Sequence, residues 1–196
     1  SRFLTVGAAH ACALLEDGEP LCWGDNSDGQ LDIPPDLRTA VQLSAGDSHT
    51  CALTASAEVR CWGSNDNKQC NVPTDLSDVV KVEASFRHTC ALTLDGMVTC
   101  WGDYTLLVGT GDLTRVPADL VDVVDLDVAK NHTCALTRDN AIQCWGDVAG
   151  YSGEHSNFGS AAKIEATSSG VCVLSSLGTL QCWQEDPGDE PVFPEY

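Results

Sequence analysis

No stretch of the chain approaches the run of about 18 apolar residues that a membrane-crossing helix needs, so nothing in this segment is expected to insert directly into a bilayer. Basic residues are scarce: 10 Lys and Arg stand against 29 Asp and Glu, a formal charge of −19 over 196 residues. Such a chain repels a phosphate backbone, which argues against a nucleic-acid partner. Helical periodicity is missing as well. The opening Ser1-Arg2-Phe3 lacks the regions of a signal peptide and reads as a processed or truncated terminus entering directly into repeat sequence. Gly-x-Ser-x-Gly, His-Glu-x-x-His and phosphate-loop motifs are absent too, so the reading is a non-enzymatic protein with no catalytic residues and no cofactor.

A repeat fills the chain instead. Two cysteines ten positions apart, the second followed at once by Trp, occur five times: Cys12 and Cys22, Cys51 and Cys61, Cys90 and Cys100, Cys134 and Cys144, Cys172 and Cys182. First cysteines are spaced 39, 39, 44 and 38 residues, a period that marks a propeller or repeat array. Each repeat opens with an apolar strand, such as Phe3 to Val6, continues with His10 to Leu15, turns, and returns through Glu19 to Trp23. The turn is three residues long, and Gly18, Gly96, Asn140 and Gly178 occupy its last position, where the backbone needs positive φ. Ala57 breaks that rule in the second repeat.

The turn sets the register. Counting outward from 16–18 places Cys12 opposite Cys22, within the reach of a disulfide, and the same count pairs the cysteines of every repeat. Cys-x9-Cys does not suit a zinc knuckle. Five repeat-locked pairs read as a disulfide framework, which places the chain in an extracellular or secreted setting, as a soluble protein or the ectodomain of a surface protein. A Pro-x-Asp-Leu turn (Pro73 to Leu76, Pro117 to Leu120) leads to the alternating strand that opens the next repeat, and a fourth strand is expected near Gln30-Leu31. Residues 1–184 thus form one repeat-built domain, and 185–196 an acidic, Pro-containing tail.

Gly46 to Thr54, Val59 to Gly63 and Trp23 to Leu31 carry a resemblance to the regulator of chromosome condensation repeat, in the cysteine-containing form similar to Crinkly-type receptor ectodomains. It implies an all-β fold: a β-propeller or propeller arc of about five four-stranded blades with one intra-blade disulfide each. The nuclear founder of that family exchanges nucleotide on a small GTPase and binds chromatin. The acidity and cysteine pairs of this chain speak against carrying either activity across.

Function is therefore expected where the repeat is broken. The inserted loop at 103–112 presents Tyr104, Leu106, Leu107 and Val108, and the irregular loop at 150–159 presents Tyr151 and Phe158, as candidate partner contacts. Cys70 lies outside the pairs and is either a buried thiol or a bridge, to another chain or to a part of the protein outside this segment. Asn131-His132-Thr133 is a glycosylation sequon. His10, His49, His88 and His132 recur at one repeat position and read as blade-internal hydrogen bonders rather than metal ligands. The five Trp read as blade-to-blade core rather than sugar platforms, and Asp25, Asn26 and Asp28 as a turn rather than a calcium loop. The expected role is a protein-interaction module. The alternatives are a self-assembling structural subunit, a carbohydrate-binding propeller, or an enzyme-inhibiting one.

Overall fold

The hairpin register counted from the sequence is the one the chain adopts. The computed structural model describes residues 3–37, 39–102, 112–146, 161–167 and 170–184, without the side chains of Trp183 and Gln184. Fifteen strands follow in chain order: β1 (Phe3–Val6), β2 (His10–Leu14), β3 (Pro20–Gly24), β4 (Ala40–Ala45), β5 (His49–Thr54), β6 (Val59–Gly63), β7 (Val79–Ala84), β8 (His88–Thr93), β9 (Val98–Gly102), β10 (Val123–Val128), β11 (His132–Thr137), β12 (Ile142–Gly146), β13 (Ala161–Thr167), β14 (Gly170–Ser175) and β15 (Leu180–Gln184). They form five antiparallel three-stranded sheets, one blade per repeat, each paired in sequence order. Each repeat places its second cysteine directly across from its first. Five disulfides close there, with Cα atoms 4.0–4.1 Å apart, the spacing of the narrow pairs of an antiparallel ladder.

All five turns carry positive φ at their last residue, including Ala57 at 62°. A Cβ there crowds the neighbouring carbonyl, whereas Gly adopts the conformation freely. Ala57→Gly should therefore stabilise the fold by about 0.5–1 kcal/mol. Urea unfolding would show a higher midpoint at unchanged slope, and a lower midpoint would mean that the turn is held by something other than its own backbone.

Among the described residues the expected fourth strand does not form, and each blade shows three. At Gln30-Leu31 the backbone and side chains are spent within the turn. Asn26 Oδ1 accepts from Leu31 N, and Gln30 Oε1 accepts from Asp28 N while its Nε2 donates to Asp25 Oδ2. The carbonyl of Gln30 points instead at the next blade, where it accepts from Thr50 Oγ1 and Trp62 Nε1. A segment so occupied cannot join a ladder.

Blades pack in sequence. The disulfide of each of the first four blades lies against the first-strand aliphatics of the next. Trp62, Trp101 and Trp145 complete three of these joints. The staple thus fills the joint between blades as well as closing its own hairpin. The first strands β1, β4, β7, β10 and β13 surround one axis, and residues of all five blades line a cavity of about 340 Å³ at their ends. Among the described residues no sheet contact of comparable extent joins β13 back to β1, so the described blades form an open arc. Its first blade consequently leaves Trp23 47% exposed and Leu4 65% exposed, where Trp62 is 7% exposed and Leu43 5%.

Candidate functional site

Three sets of polar side chains are repeated around the arc, and their partners determine which could act on something else. The first sits at the joints. Thr50 Oγ1 gives its one proton to the Gln30 carbonyl at 3.1 Å, so at its 2.9 Å contact with His10 it accepts, and His10 Nε2 is the donor. The next joint repeats this with His49, Thr89 and the Gln69 carbonyl, which also accepts from Trp101 Nε1. His88 reaches Thr133, and His132 the Gly170 carbonyl. The imidazoles therefore bond the following blade, not a loop of their own as the sequence suggested. The Nδ1 atoms of His10, His49 and His88 are buried without a partner, so a second proton would create an unpaired buried cation. Burial accordingly pulls His49 down to about 4 and His88 to about 3.

The second set lines the axis. Side chains of one first strand hydrogen-bond the backbone of the next. Thr5 accepts from Ala45 N, Gln42 brackets Val82 from both sides, Ser44 accepts from Ala84 N, and Asp125 and Asp127 accept from Ile164 N and Ala166 N. Lys81 Nζ lies 2.6 Å from Asp125 and 3.3 Å from Glu83, and donates to the Leu126 carbonyl. Burial, then the neighbouring Glu83, pushes Asp127 up to about 7.

Such a raised carboxyl stabilises the fold fully below its unfolded value near 4, and that stability is lost as pH rises toward about 7. Asp127→Asn should thus match the wild type near pH 4 and exceed it by about 2 kcal/mol at pH 8, less than the full shift implies because Glu83 and Lys81 share the titration. Urea unfolding at the two pH values checks this, and equal stabilities at pH 8 would count against it. His49 and His88 act in the opposite sense. Their stability is complete above about 6.5 and is lost as pH falls toward 4, where the unfolded chain takes up protons the fold refuses.

The third set lies at the hairpin end of the second, third and fourth blades, between the turn that precedes the first strand and the blade's own β-hairpin. In the third blade this groove has a volume of about 420 Å³ and is lined by Pro73, Asp75, Leu76, Ser77, Asp78, Thr93, Leu94, Asp95, Met97 and Thr99. The fourth blade has the corresponding groove, about 330 Å³, with Asp119, Asp122, Arg138, Asp139 and Gln143 on its walls. In the second blade Arg60 faces Asp36 at 3.8 Å. The turn corner is fixed by Asp78 and Asp122, both at φ 54° and both accepting a hydrogen bond from the hairpin through their carbonyls. The Thr93 hydroxyl, 2.5 Å from Asp95, holds that carboxyl below the usual range.

The residues singled out from sequence fare unevenly. Tyr104, Leu106, Leu107, Val108, Tyr151 and Phe158 lie outside the described residues. The Cys70 thiol donates to the Ser64 carbonyl at 3.2 Å, and burial pushes it up to about 11. A protonated, half-buried thiol is a poor nucleophile for bridging chains. Asn131 is half-buried at a blade turn, and Thr133 of its sequon is fully buried at the His88 joint. Trp62, Trp101 and Trp145 are buried with their Nε1 atoms bonded to carbonyls, so they offer no stacking face. Asp25 and Asn26 bond their own turn through Ser27, Gln30 and Asp32. Among the described residues no three metal-ligating side chains converge. The grooves were missed. Aligning the column Arg60, Thr99, Gln143 across repeats is the signal that finds them.

Stapled three-stranded blades around an axis define a disulfide-linked β-propeller arc. The chain belongs to the regulator of chromosome condensation (RCC1) repeat family, whose pattern matches residues 3–30, 40–69, 79–103 and 123–153. Among curated protein sequences none matches. Solved structures share the fold. Prp20p from Saccharomyces cerevisiae, described with its binding to Gsp1p and histones, superposes with a TM-score of 0.75 at 22% identity, over 92% of this chain and 56% of that one. The CRINKLY WD40 ectodomain of the Arabidopsis thaliana receptor kinase ACR4 gives 0.71 at 22% identity, over 94% and 69%. The ectodomain of the Physcomitrella patens receptor kinase CR4 gives 0.68 at 24%, over 92% and 49%. The chain thus spans little more than half the length of Prp20p.

Proposed function

We propose that the chain is an extracellular, non-enzymatic module that binds another protein. The observation carrying this reading is the disulfide in every blade, each of the first four also serving as joint packing. An architecture that depends on oxidised cysteines at each joint suits an oxidising compartment. With joint and axial groups already engaged, grooves and irregular loops are left to meet a partner. The receptor ectodomains among its structural relatives support the setting, and Prp20p, which binds proteins, supports the role.

A photo-crosslinking residue placed at 94, at 107 or, as control, at 41 would test it in extracellular material of the source organism. The expected result is one protein adduct from 94 or 107, competed away by unlabelled chain. Adducts that resist competition, or that match those from 41, would defeat the reading.

One observation favours self-assembly as a second reading. Trp23, Leu4 and Val6 are exposed on the first blade where their counterparts pack against a preceding blade. On the last, the half-buried Cys172 and Cys182 with exposed Leu174 and Leu180 present the complementary half of such a joint. Two copies could meet head to tail through these faces. Sedimentation equilibrium should then show concentration-dependent oligomers that Trp23→Ser abolishes, and a monomer at about 100 μM would exclude this reading.

A further inference from the structure

Within the protein-interaction reading, on which this inference rests, the geometry points to the third-blade groove as the docking site of a partner segment that presents an Arg or Lys beside an aliphatic side chain. The argument comes from comparing three copies of one groove in one molecule. In the second blade the guanidinium of Arg60, projecting from β6, meets Asp36 of the preceding turn. In the fourth, Gln143 from β12 reaches Asp119 at 3.4 Å, and Arg138 supplies a cation on the wall. In the third, the corresponding residue on β9 is Thr99, which is too short to span the gap, and Asp75 pairs with none of the described residues. Asp75, Asp78 and Asp95 line this groove with no basic residue among its walls.

Its apolar side differs too. Leu94 is 77% exposed and Met97 52%, at positions held by Ala55 and Glu58 in the second blade and by Arg138 and Ala141 in the fourth. The groove therefore offers a carboxylate where the second blade shows a guanidinium seated, next to two large apolar side chains without cover. A cationic head on an aliphatic stem matches both features. The chain's charge of −19 would also draw a basic segment toward it and repel an acidic one.

Met97 is the one methionine of the sequence, so methyl-13C-methionine labelling gives a single NMR signal inside the groove. The probe is a fluorescein-labelled peptide of alternating Leu and Arg. Controls of the same length carry citrulline for Arg or Ser for Leu. Binding is followed by anisotropy and the methyl signal in parallel. The expected outcome is a Met97 shift that saturates with the Leu-Arg peptide and affinity at least fivefold weaker for each control. Asp75→Asn should weaken binding at least fivefold, whereas Asp28→Asn, in the turn after the first blade, should not. Thr99→Arg copies the Arg60 arrangement, which the fold already accommodates, and should abolish the Met97 shift by filling the groove from within.

Anisotropy binding with an unmoved Met97 signal would overturn the groove while leaving a protein-binding role standing. Equal binding of the Leu-Arg and Ser-Arg peptides would reduce the interaction to general attraction between opposite charges and overturn it also. Failure of every peptide to bind removes this partner class. The crosslinking from position 107 then decides the broader reading by itself.

Discussion

Under reducing conditions the protein should unfold at neutral pH and room temperature. Each bridge closes a hairpin ten residues apart, worth roughly 2–3 kcal/mol by the chain-entropy account. Five of them sum to roughly 10–15 kcal/mol, comparable to the whole stability of an ordinary domain. The loss is compounded because Cys12, Cys51, Cys90 and Cys134 are fully buried packing atoms of the joints, so opening a bridge disturbs the neighbouring blade too. The order of loss is also set by the arc. Both sulfurs of Cys172–Cys182 are on half-buried residues of the last blade, while every other bridge has one fully buried member. Brief reduction followed by alkylation and peptide mass mapping should label Cys172 and Cys182 first, then the rest almost together. Circular dichroism should lose the strand signal in the second phase. Reduced protein that keeps its strand signal would show that core packing alone supports the arc.

That dependence could be read from the chain because its determinants are local. A turn of fixed length forces one register, and the register puts cysteine opposite cysteine. The Gly or Asn at the end of four turns likewise needs only its neighbours in sequence, whereas the alternation expected of Val80, Lys81 and Val82 fails, because a bulge between Val79 and Lys81 leaves Val80 exposed and Val82 buried. The fourth strand was misjudged for the converse reason. Gln30-Leu31 has no local feature forbidding a strand. What decides its conformation is the Gln30 carbonyl, committed to Thr50 and Trp62 of the following blade. The histidines show the same limit. Their recurrence marks them as structural, but only packing reveals that each reaches forward to the next blade. The candidate site was least legible of all. A groove made by what Thr99 fails to reach is a property of two loops about 25 residues apart, and becomes visible only against Arg60 and Gln143 in the other copies.

Gly63→Ala should destabilise the protein by about 4 kcal/mol, lowering the thermal midpoint by about 10 °C. Gly63 holds φ of 101°, and a Cβ built there would lie 2.6 Å from the Ser48 carbonyl oxygen, 2.9 Å from His49 Cα and 3.1 Å from Gln30 Cα. None of these atoms is free to yield. The Ser48 carbonyl already accepts from Ser64 N at 2.8 Å, His49 Nε2 is held by Thr89, and Gln30 carries the carbonyl shared by Thr50 and Trp62. One methyl group would thus press on two joints at once, adding steric displacement and strained hydrogen bonds to the ordinary penalty of about 1–2 kcal/mol for a left-handed residue. Gly178→Ala is the matched control. It has nearly the same kind of backbone, φ 82°, with nothing within 4 Å of the added Cβ, so only the conformational penalty applies. Calorimetry on the two variants separates backbone strain from joint collision. Equal losses would mean that the glycine after the tryptophan in the first four blades is there for its φ alone, and that the joint is softer than its hydrogen bonds imply.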